Sequence, residues 1–195
     1  MSVQRILFVC TGNTCRSPMA EGLFHVLTKS RQGNWEARSA GVSTNGGSPV
    51  SQHAATVLSR KGGVDKRRSD SLKADWVEWA DLILTMTGSH KQAVLSRFPE
   101  ALDKVFTLKE FVMDDPGLMR LLSERGELMS ELLVKQALME RIEEQELDRL
   151  EELERQLPSM DIQDPFGGSL MEYEACAEEI ESALRKLIEK LDSMR

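Results

Sequence analysis

Short apolar runs alternate with amphipathic segments along most of this chain of 195 residues. The apolar runs predict four strands, at residues 5–9, 35–39, 82–86 and 104–107. The amphipathic segments repeat apolar residues every three or four positions and predict helices near residues 17–30, 49–61, 72–78, 88–96 and 169–193. This alternation is typical of an α/β fold in which helices cover both faces of a small, open parallel sheet.

Residues 114–160 follow a different pattern and are predicted to form an acidic helical insertion. Apolar residues recur there at three- and four-residue steps until Pro158, at Leu118, Leu122, Met129, Leu132, Met139, Ile142, Leu150, Leu153 and Leu157. We expect a short helix, a kink or turn near Gly126, and then a longer charged helix. The apolar stripe needs cover, either from the chain's own core or from a second copy or protein partner bound through residues 118–157.

The negative charge of the chain is concentrated in this insertion. Residues 114–161 contain fourteen acidic and six basic side chains, a net charge of −8, whereas the whole chain carries −7. Such a chain does not attract nucleic acid, and no apolar run approaches the length of a membrane span. Three cysteines favour a reducing cytoplasm over a disulfide framework. We therefore expect a cytoplasmic protein with one core, residues 1–113 and 161–195, and the insertion as an appendage.

The seven residues from Cys10 to Arg16, directly after the first predicted strand, have the composition of a phosphate-binding loop. Gly12 tolerates a positive φ, so we expect the amides of residues 11–16 to point inward at an anion. Ser17 is a good helix cap, so a helix is expected to begin where the phosphate would lie. These residues predict a loop that holds a phosphoryl group.

A cysteine at the foot of such a loop is suited to attack on phosphorus. The positive end of the helix, the inward amides and Arg16 favour a thiolate, and such surroundings lower the pKa of a cysteine from about 8.5 to roughly 3.5–7.5. The alternative for Cys10 is a buried and inert cysteine at a strand end. The order of strand, Gly/Asn-rich turn and helix start favours the nucleophile.

The segment from Cys10 to Glu21 resembles the signature of the low-molecular-weight protein tyrosine phosphatases. Two other segments are similar to elements of that family: Asp164-Pro165-Phe166-Gly167 resembles its general-acid loop, and Ser39-Ala40-Gly41 resembles the element whose Ser braces the loop through Asn13. The resemblance implies the strand order 2-1-3-4 and a reaction that requires no metal or cofactor. It assigns catalysis to Cys10, Arg16 and Asp164, binding of the phosphoryl group or substrate to Thr11, Gly12, Asn13, Thr14, Cys15, Ser17 and Phe166, and support to Ser39.

Within the family, Thr14 and the run from Asp164 to Gly168 resemble the protein-arginine phosphatase branch of bacteria. Phosphotyrosine enzymes usually have a bulky apolar residue in place of Thr14 and tyrosines after the Asp-Pro pair. A guanidinium offers N–H donors to a hydroxyl and a carboxylate, whereas a phenyl ring prefers an apolar wall. We therefore predict hydrolysis of phosphoarginine in proteins through a cysteinyl-phosphate intermediate, with Asp164 as acid and then base.

Two alternatives are a low-molecular-weight protein tyrosine phosphatase and a scaffold that recruits partners through the acidic helix. Cys15 is either a small packing residue or a redox guard that traps oxidised Cys10 as a disulfide. His25, His53 and His90 stand apart without metal-ligand spacing, so we expect no ligand role for them.

Overall fold

Four parallel strands in the order β2-β1-β3-β4 form the sheet of the larger of two units. The computed structural model describes residues 3–31, 33–63 and 68–194. The strands are β1 (Arg5–Cys10), β2 (Glu36–Gly41), β3 (Leu82–Thr85) and β4 (Val105–Thr107). The predicted fold class and the strand order implied by the resemblance are confirmed.

The middle strand β1 explains why both faces of the sheet are covered. Ile6, Leu7, Phe8 and Val9 are all fully buried, and their side chains alternate between two apolar clusters. Because successive side chains of a strand point to opposite faces, a run of four buried apolar residues needs helices on both sides. β1 pairs with β2 and with β3, so its end at Cys10 lies between two neighbouring strand ends.

Eight α-helices within the described residues surround the sheet or form the second unit. They are α1 (Arg16–Thr28), α2 (Gln52–Arg60), α3 (Ala74–Trp79), α4 (Gly88–Arg97), α5 (Leu108–Phe111), α6 (Pro116–Ala137), α7 (Glu144–Gln156) and α8 (Leu170–Ser193). Helices α1, α2, α5 and α8 contribute to the cluster that contains Ile6 and Phe8, and α3 and α4 to the other. None of the helices in the described ranges is long and apolar enough to cross a membrane.

The second unit, Met113–Ser159, consists of α6 and α7 packed against each other. Leu132 on α6 and Leu153 on α7 are buried. Lys135 Nζ lies 2.6 Å from Glu146 Oε1 and links the two helices near the turn between them. The amphipathic stripe of each helix is therefore covered in part by the other helix.

The predicted break near Gly126 is wrong, because α6 runs through Gly126 and ends at Ala137. The first helix of the unit is thus the longer one, opposite to the prediction. A glycine inside a helix costs about 1 kcal/mol but keeps its N–H donor, so it does not itself end the helix. The chain instead turns at Met139, which has φ 56°, and the Glu140 N–H donates to the Lys135 carbonyl at 2.8 Å.

Candidate active site

The loop from Cys10 to Arg16 joins β1 to α1 at the carboxyl edge of the sheet. Three of its carbonyls make hydrogen bonds outside the loop: those of Cys10 and Thr11 accept from the N–H groups of Val42 and Ser43, at 2.9 and 3.0 Å. The Thr14 carbonyl accepts from the Ser51 N–H at 2.8 Å. Because the N–H of a trans peptide points opposite to its carbonyl, the following amides point inward. This is the arrangement that binds an anion.

The left-handed residue of this loop is Asn13, with φ 54°, and Gly12 does not use the positive φ that it tolerates. Asn is among the residues that adopt this conformation most readily. Its amide nitrogen donates to Ser17 Oγ at 2.9 Å and to Ser39 Oγ at 2.8 Å. Its amide oxygen accepts from the backbone N–H of Asp70 at 2.8 Å. Three hydrogen bonds therefore fix a residue that is buried behind the loop.

Cys10 Sγ is buried and lies 3.0 Å from Ser17 Oγ. Ser17 was predicted to cap the helix, but α1 begins at Arg16 and its preceding residue makes no side-chain cap. Since Ser17 Oγ already accepts from Asn13, its own O–H can donate to the sulfur. The sulfur of Cys10 therefore has a hydroxyl donor within hydrogen-bond distance.

Arg16 and Asp164 meet across 148 positions of sequence, with Nη2 and Oδ2 2.6 Å apart. The Arg16 side chain is buried, and its Nη1 also donates to the Ile162 carbonyl at 3.3 Å. About half of the Asp164 side chain is exposed, and its Oδ1 accepts from the Phe166 N–H at 3.2 Å. Asp164 is therefore held by a turn of its own loop and by the guanidinium.

These residues line one open cavity of about 220 Å³. Eight of the predicted site residues lie around it: Cys10, Thr11, Gly12, Thr14, Cys15, Arg16, Asp164 and Phe166. The Phe166 side chain is 79% exposed, so most of its ring is available to a bound molecule. Asn13, Ser17 and Ser39 are not among the lining residues and contact one another behind the loop.

Sequence reasoning missed His90, which lies on α4 beside the loop. Its Nε2 is 2.7 Å from Thr11 Oγ1, and its Nδ1 is 2.8 Å from Thr87 Oγ1. Burial and the neighbouring Arg16 lower the pKa of His90 to about 4, so the ring is neutral at physiological pH. The available signal was the polar run Thr87-Gly88-Ser89-His90, which begins one residue after the end of β3, the strand next to β1.

The cysteines have different surroundings. Cys15 is buried, and its Sγ lies 3.2 Å from Tyr173 Oη. Cys176 is also buried, and burial raises the pKa of its thiol to about 12. All three cysteines are free thiols, and neither alternative for Cys15 is decided by these contacts. Among the described residues, no group of three or more His, Cys, Asp or Glu side chains is placed to hold a metal ion.

The family model for low molecular weight phosphotyrosine protein phosphatases matches residues 5–119, which is more than half of the chain. The chain belongs to this family. The predicted family is thereby confirmed, and the protein is a cysteine-dependent phosphoprotein phosphatase.

Two relatives of this phosphatase match it along nearly the whole chain. A protein-arginine-phosphatase of Geobacillus stearothermophilus is 38% identical and the match covers 97% of each chain. A protein-arginine-phosphatase of Bacillus subtilis is 35% identical, with 97% of this chain and 98% of the relative covered. The solved YwlE arginine phosphatase from Geobacillus stearothermophilus superimposes with a TM-score of 0.70, over 98% of this chain and 94% of that one.

Proposed function

We propose that this phosphatase hydrolyses phosphoarginine in proteins and that Cys10, Arg16 and Asp164 carry the reaction. The observation that carries this assignment is the presence of Thr14, Asp164 and Phe166 around the same cavity as Cys10. Two polar acceptors near the nucleophile suit a guanidinium, which presents several N–H donors in one plane. The two relatives from Geobacillus stearothermophilus and Bacillus subtilis that match 97% of this chain are named protein-arginine-phosphatases, which supports the same substrate.

A further relative supports Cys10 as the group that receives phosphate. It is a solved YwlE arginine phosphatase mutant with a phosphorylated active-site serine, 34% identical, with 98% of each chain covered and a TM-score of 0.74. An oxygen nucleophile that keeps its phosphate indicates that the phosphoryl group is transferred to the protein before water removes it.

In the first step, Cys10 Sγ attacks phosphorus in line, the S–P bond forms and the P–N bond breaks. The electron pair of the broken bond goes to the guanidine nitrogen, which takes a proton from Asp164. Arg16 and the inward amides stabilise the charge on the equatorial oxygens. Ser17 Oγ, 3.0 Å from the sulfur, stabilises the thiolate before the attack.

In the second step, Asp164 removes a proton from water as the water oxygen attacks phosphorus. The S–P bond breaks, its electron pair returns to Cys10, and inorganic phosphate leaves. Asp164 suits both steps because its side chain is half exposed and can reach the leaving nitrogen and then a water. Each proton that Asp164 gives in the first step is recovered in the second.

Competition between phosphoarginine and phosphotyrosine peptides tests the assignment. We expect faster hydrolysis of phosphoarginine by the unaltered chain, and a shift toward phosphotyrosine in Thr14→Ile, because the added apolar group replaces a hydroxyl that accepts an N–H. One lost contact of this kind is worth about 1–3 kcal/mol, or roughly five- to 150-fold in kcat/KM. Faster hydrolysis of phosphotyrosine by the unaltered chain would overturn the proposal.

The second candidate substrate is phosphotyrosine. A probable low molecular weight protein-tyrosine-phosphatase of Ralstonia nicotianae is 39% identical to this chain, with 58% of the chain and 76% of the relative covered. A solved low molecular weight protein tyrosine phosphatase from T. tengcongensis is 37% identical over 96% of this chain, so the length of a match does not separate the two substrates. Phosphoarginine is favoured by Thr14 and Asp164 at the cavity and by the two relatives named protein-arginine-phosphatases. A scaffold role through the acidic insertion remains a separate prediction. Activity measurements do not test it, because unchanged activity after removal of the insertion would not show whether the insertion binds a partner. Binding assays with and without the insertion are the test.

A further inference from the structure

His90 connects the end of β3 to the phosphate loop through both ring nitrogens. Nδ1 lies 2.8 Å from Thr87 Oγ1, and Nε2 lies 2.7 Å from Thr11 Oγ1. The residue is 6% exposed, so water does not replace these partners. Thr11, in contrast, is exposed and lines the cavity with Cys10 and Arg16. The ring is therefore positioned to control the direction of one hydroxyl in the site.

A neutral imidazole donates from one nitrogen and accepts at the other, so the two contacts are coupled. If Nδ1 carries the proton, Thr11 must donate to Nε2, and its hydroxyl hydrogen is used by the ring. If Nε2 carries the proton, it donates to Thr11 Oγ1, and Thr87 donates to Nδ1. The Thr11 hydrogen is then available to the cavity.

An anion in the cavity favours the second arrangement. Thr87 Oγ1 already accepts the backbone N–H of His90 at 3.2 Å, so its own O–H can be directed to Nδ1. The donors Thr87 O–H, Nε2–H and Thr11 O–H then form one chain of hydrogen bonds whose last hydrogen is available to the cavity that Thr11 lines. Hydrogen bonds in such a chain polarise one another, and donors aimed at developing negative charge lower the barrier to its formation.

We infer that His90 is a positioning residue that donates from Nε2 to Thr11 and directs the Thr11 hydroxyl to the phosphoryl group at Cys10. Thr11 thereby becomes an additional side-chain donor to that group, beside Arg16 and the loop amides. The inference rests on the proposed role of Cys10 but not on phosphoarginine as the substrate. It can therefore be tested with any phosphomonoester that the enzyme accepts.

Two substitutions of His90 distinguish the contribution of Nε2 from that of Nδ1. In His90→Gln the amide nitrogen occupies the place of Nε2 and still donates to Thr11, whereas in His90→Asn the amide reaches only the place of Nδ1. With p-nitrophenyl phosphate, we expect His90→Asn to lower kcat/KM about tenfold and His90→Gln to stay within about threefold of the unaltered enzyme, since one neutral hydrogen bond is at stake. The inhibition constant of inorganic phosphate should rise in parallel in His90→Asn.

Substitutions of Thr11 provide an independent test, because we expect an exposed residue to be replaced without loss of the fold. Thr11→Val should lower kcat/KM about tenfold and Thr11→Ser should not, and the double variant Thr11→Val/His90→Asn should be no worse than the poorer single variant. His25→Asn, which removes an exposed histidine on α1, is the matched control and should retain full activity. Equal losses in the Asn and Gln variants, or additive losses in the double variant, would overturn the inference.

The tautomer gives a spectroscopic readout. With phosphate added, the imidazole ¹⁵N shifts of His90 should report a proton on Nε2 and none on Nδ1, and a proton on Nδ1 would contradict the inference. Different results would overturn the proposed function. Full activity in a Cys10→Ser variant would contradict the role of Cys10 as nucleophile, and a preference for phosphotyrosine would contradict the assignment of phosphoarginine as substrate. The latter leaves the comparison of the His90 variants intact, because p-nitrophenyl phosphate reports on the phosphoryl site alone.

Discussion

Arg16 Nη2 and Asp164 Oδ2 are 2.6 Å apart, so the residue proposed as general acid is bound to the residue proposed to hold the phosphoryl group. A phosphoryl group at Cys10 would contact the same guanidinium. Asp164 must then exchange this contact for the leaving nitrogen of the substrate. We expect Asp164 to be the partner that moves, because its side chain is half exposed and that of Arg16 is buried.

Asp164→Asn should lower kcat about 10²- to 10⁴-fold, because general acid–base catalysis typically contributes a factor of that size. The amide keeps the shape of the carboxylate and can still accept the Phe166 N–H, so the loop should stay folded. Steady-state rates with a phosphoarginine peptide are the measurement, and Asp114→Asn in the insertion is the control. A loss below tenfold in Asp164→Asn would contradict the acid–base role.

Ser39→Ala should lower kcat/KM roughly tenfold although Ser39 does not line the cavity. The substitution removes the oxygen that accepts from Asn13 Nδ2 at 2.8 Å and leaves a buried donor without that acceptor, at a cost of about 1–3 kcal/mol. Ser43→Ala is a suitable control, because Ser43 contributes its backbone N–H to the loop and that bond persists. Equal rates in the two variants would argue against a bracing role for Ser39.

Gly41→Ala should impair the loop from the neighbouring strand. A Cβ at this position would lie 2.7 Å from the Thr11 carbonyl oxygen and 3.1 Å from the Asn13 nitrogen, both backbone atoms. Because backbone cannot move aside as a flexible side chain does, we expect a loss of phosphate affinity of at least tenfold, measured by inhibition of p-nitrophenyl phosphate hydrolysis. Gly12→Ala is the comparison, since its Cβ would meet only Thr14 Oγ1 at 3.6 Å.

Stability should fall in mild acid because of His90. Its folded-state pKa of about 4 lies below the unfolded value of about 6.5, so the unfolded chain binds more protons between these two values. The contribution of neutral His90 is full above pH 6.5 and is lost as the pH falls toward 4. Relative to His90→Gln, the unaltered chain should lose about 2 kcal/mol of unfolding free energy between pH 7.5 and pH 5. Urea denaturation of both proteins at the two pH values measures this difference, and parallel curves would contradict it.

Two substitutions should stabilise the insertion, one inside α6 and one at the turn after it. Gly126→Ala should stabilise the α6–α7 unit by about 0.5–1 kcal/mol, because Gly126 is exposed inside a helix and a Cβ there meets no atom within 4 Å. Met139→Gly should stabilise it by about 1 kcal/mol, since Met139 has φ 56° and is 96% exposed. Hydrogen exchange of the α6 amides reports both changes, and Ser123→Ala serves as the helix-surface control.

The sequence was most informative where function depends on neighbours in the chain. Cys10 and Arg16 lie in one loop, and the spacing alone predicts that they surround an anion; the roles of these residues and of Asp164 stay predictions. His90 could not be assigned in the same way, because its contact with Thr11 depends on β3 lying beside β1. The predicted end of the first helix of the insertion, near Gly126, is wrong because the low helix propensity of glycine is visible in the sequence, whereas the turn at Met139 is not. That turn is where the chain reverses so that α6 and α7 pack against each other.

The shape of the phosphate loop depends on hydrogen bonds to its backbone carbonyls, whereas its proposed substrate selectivity depends on side chains. Val42, Ser43 and Ser51 hold that shape through backbone N–H groups, which every residue except proline possesses. Thr14 and Phe166 line the cavity, and their side chains take no part in those backbone bonds. A lineage can therefore exchange one phosphorylated substrate for another at these two positions while the anion cradle stays the same.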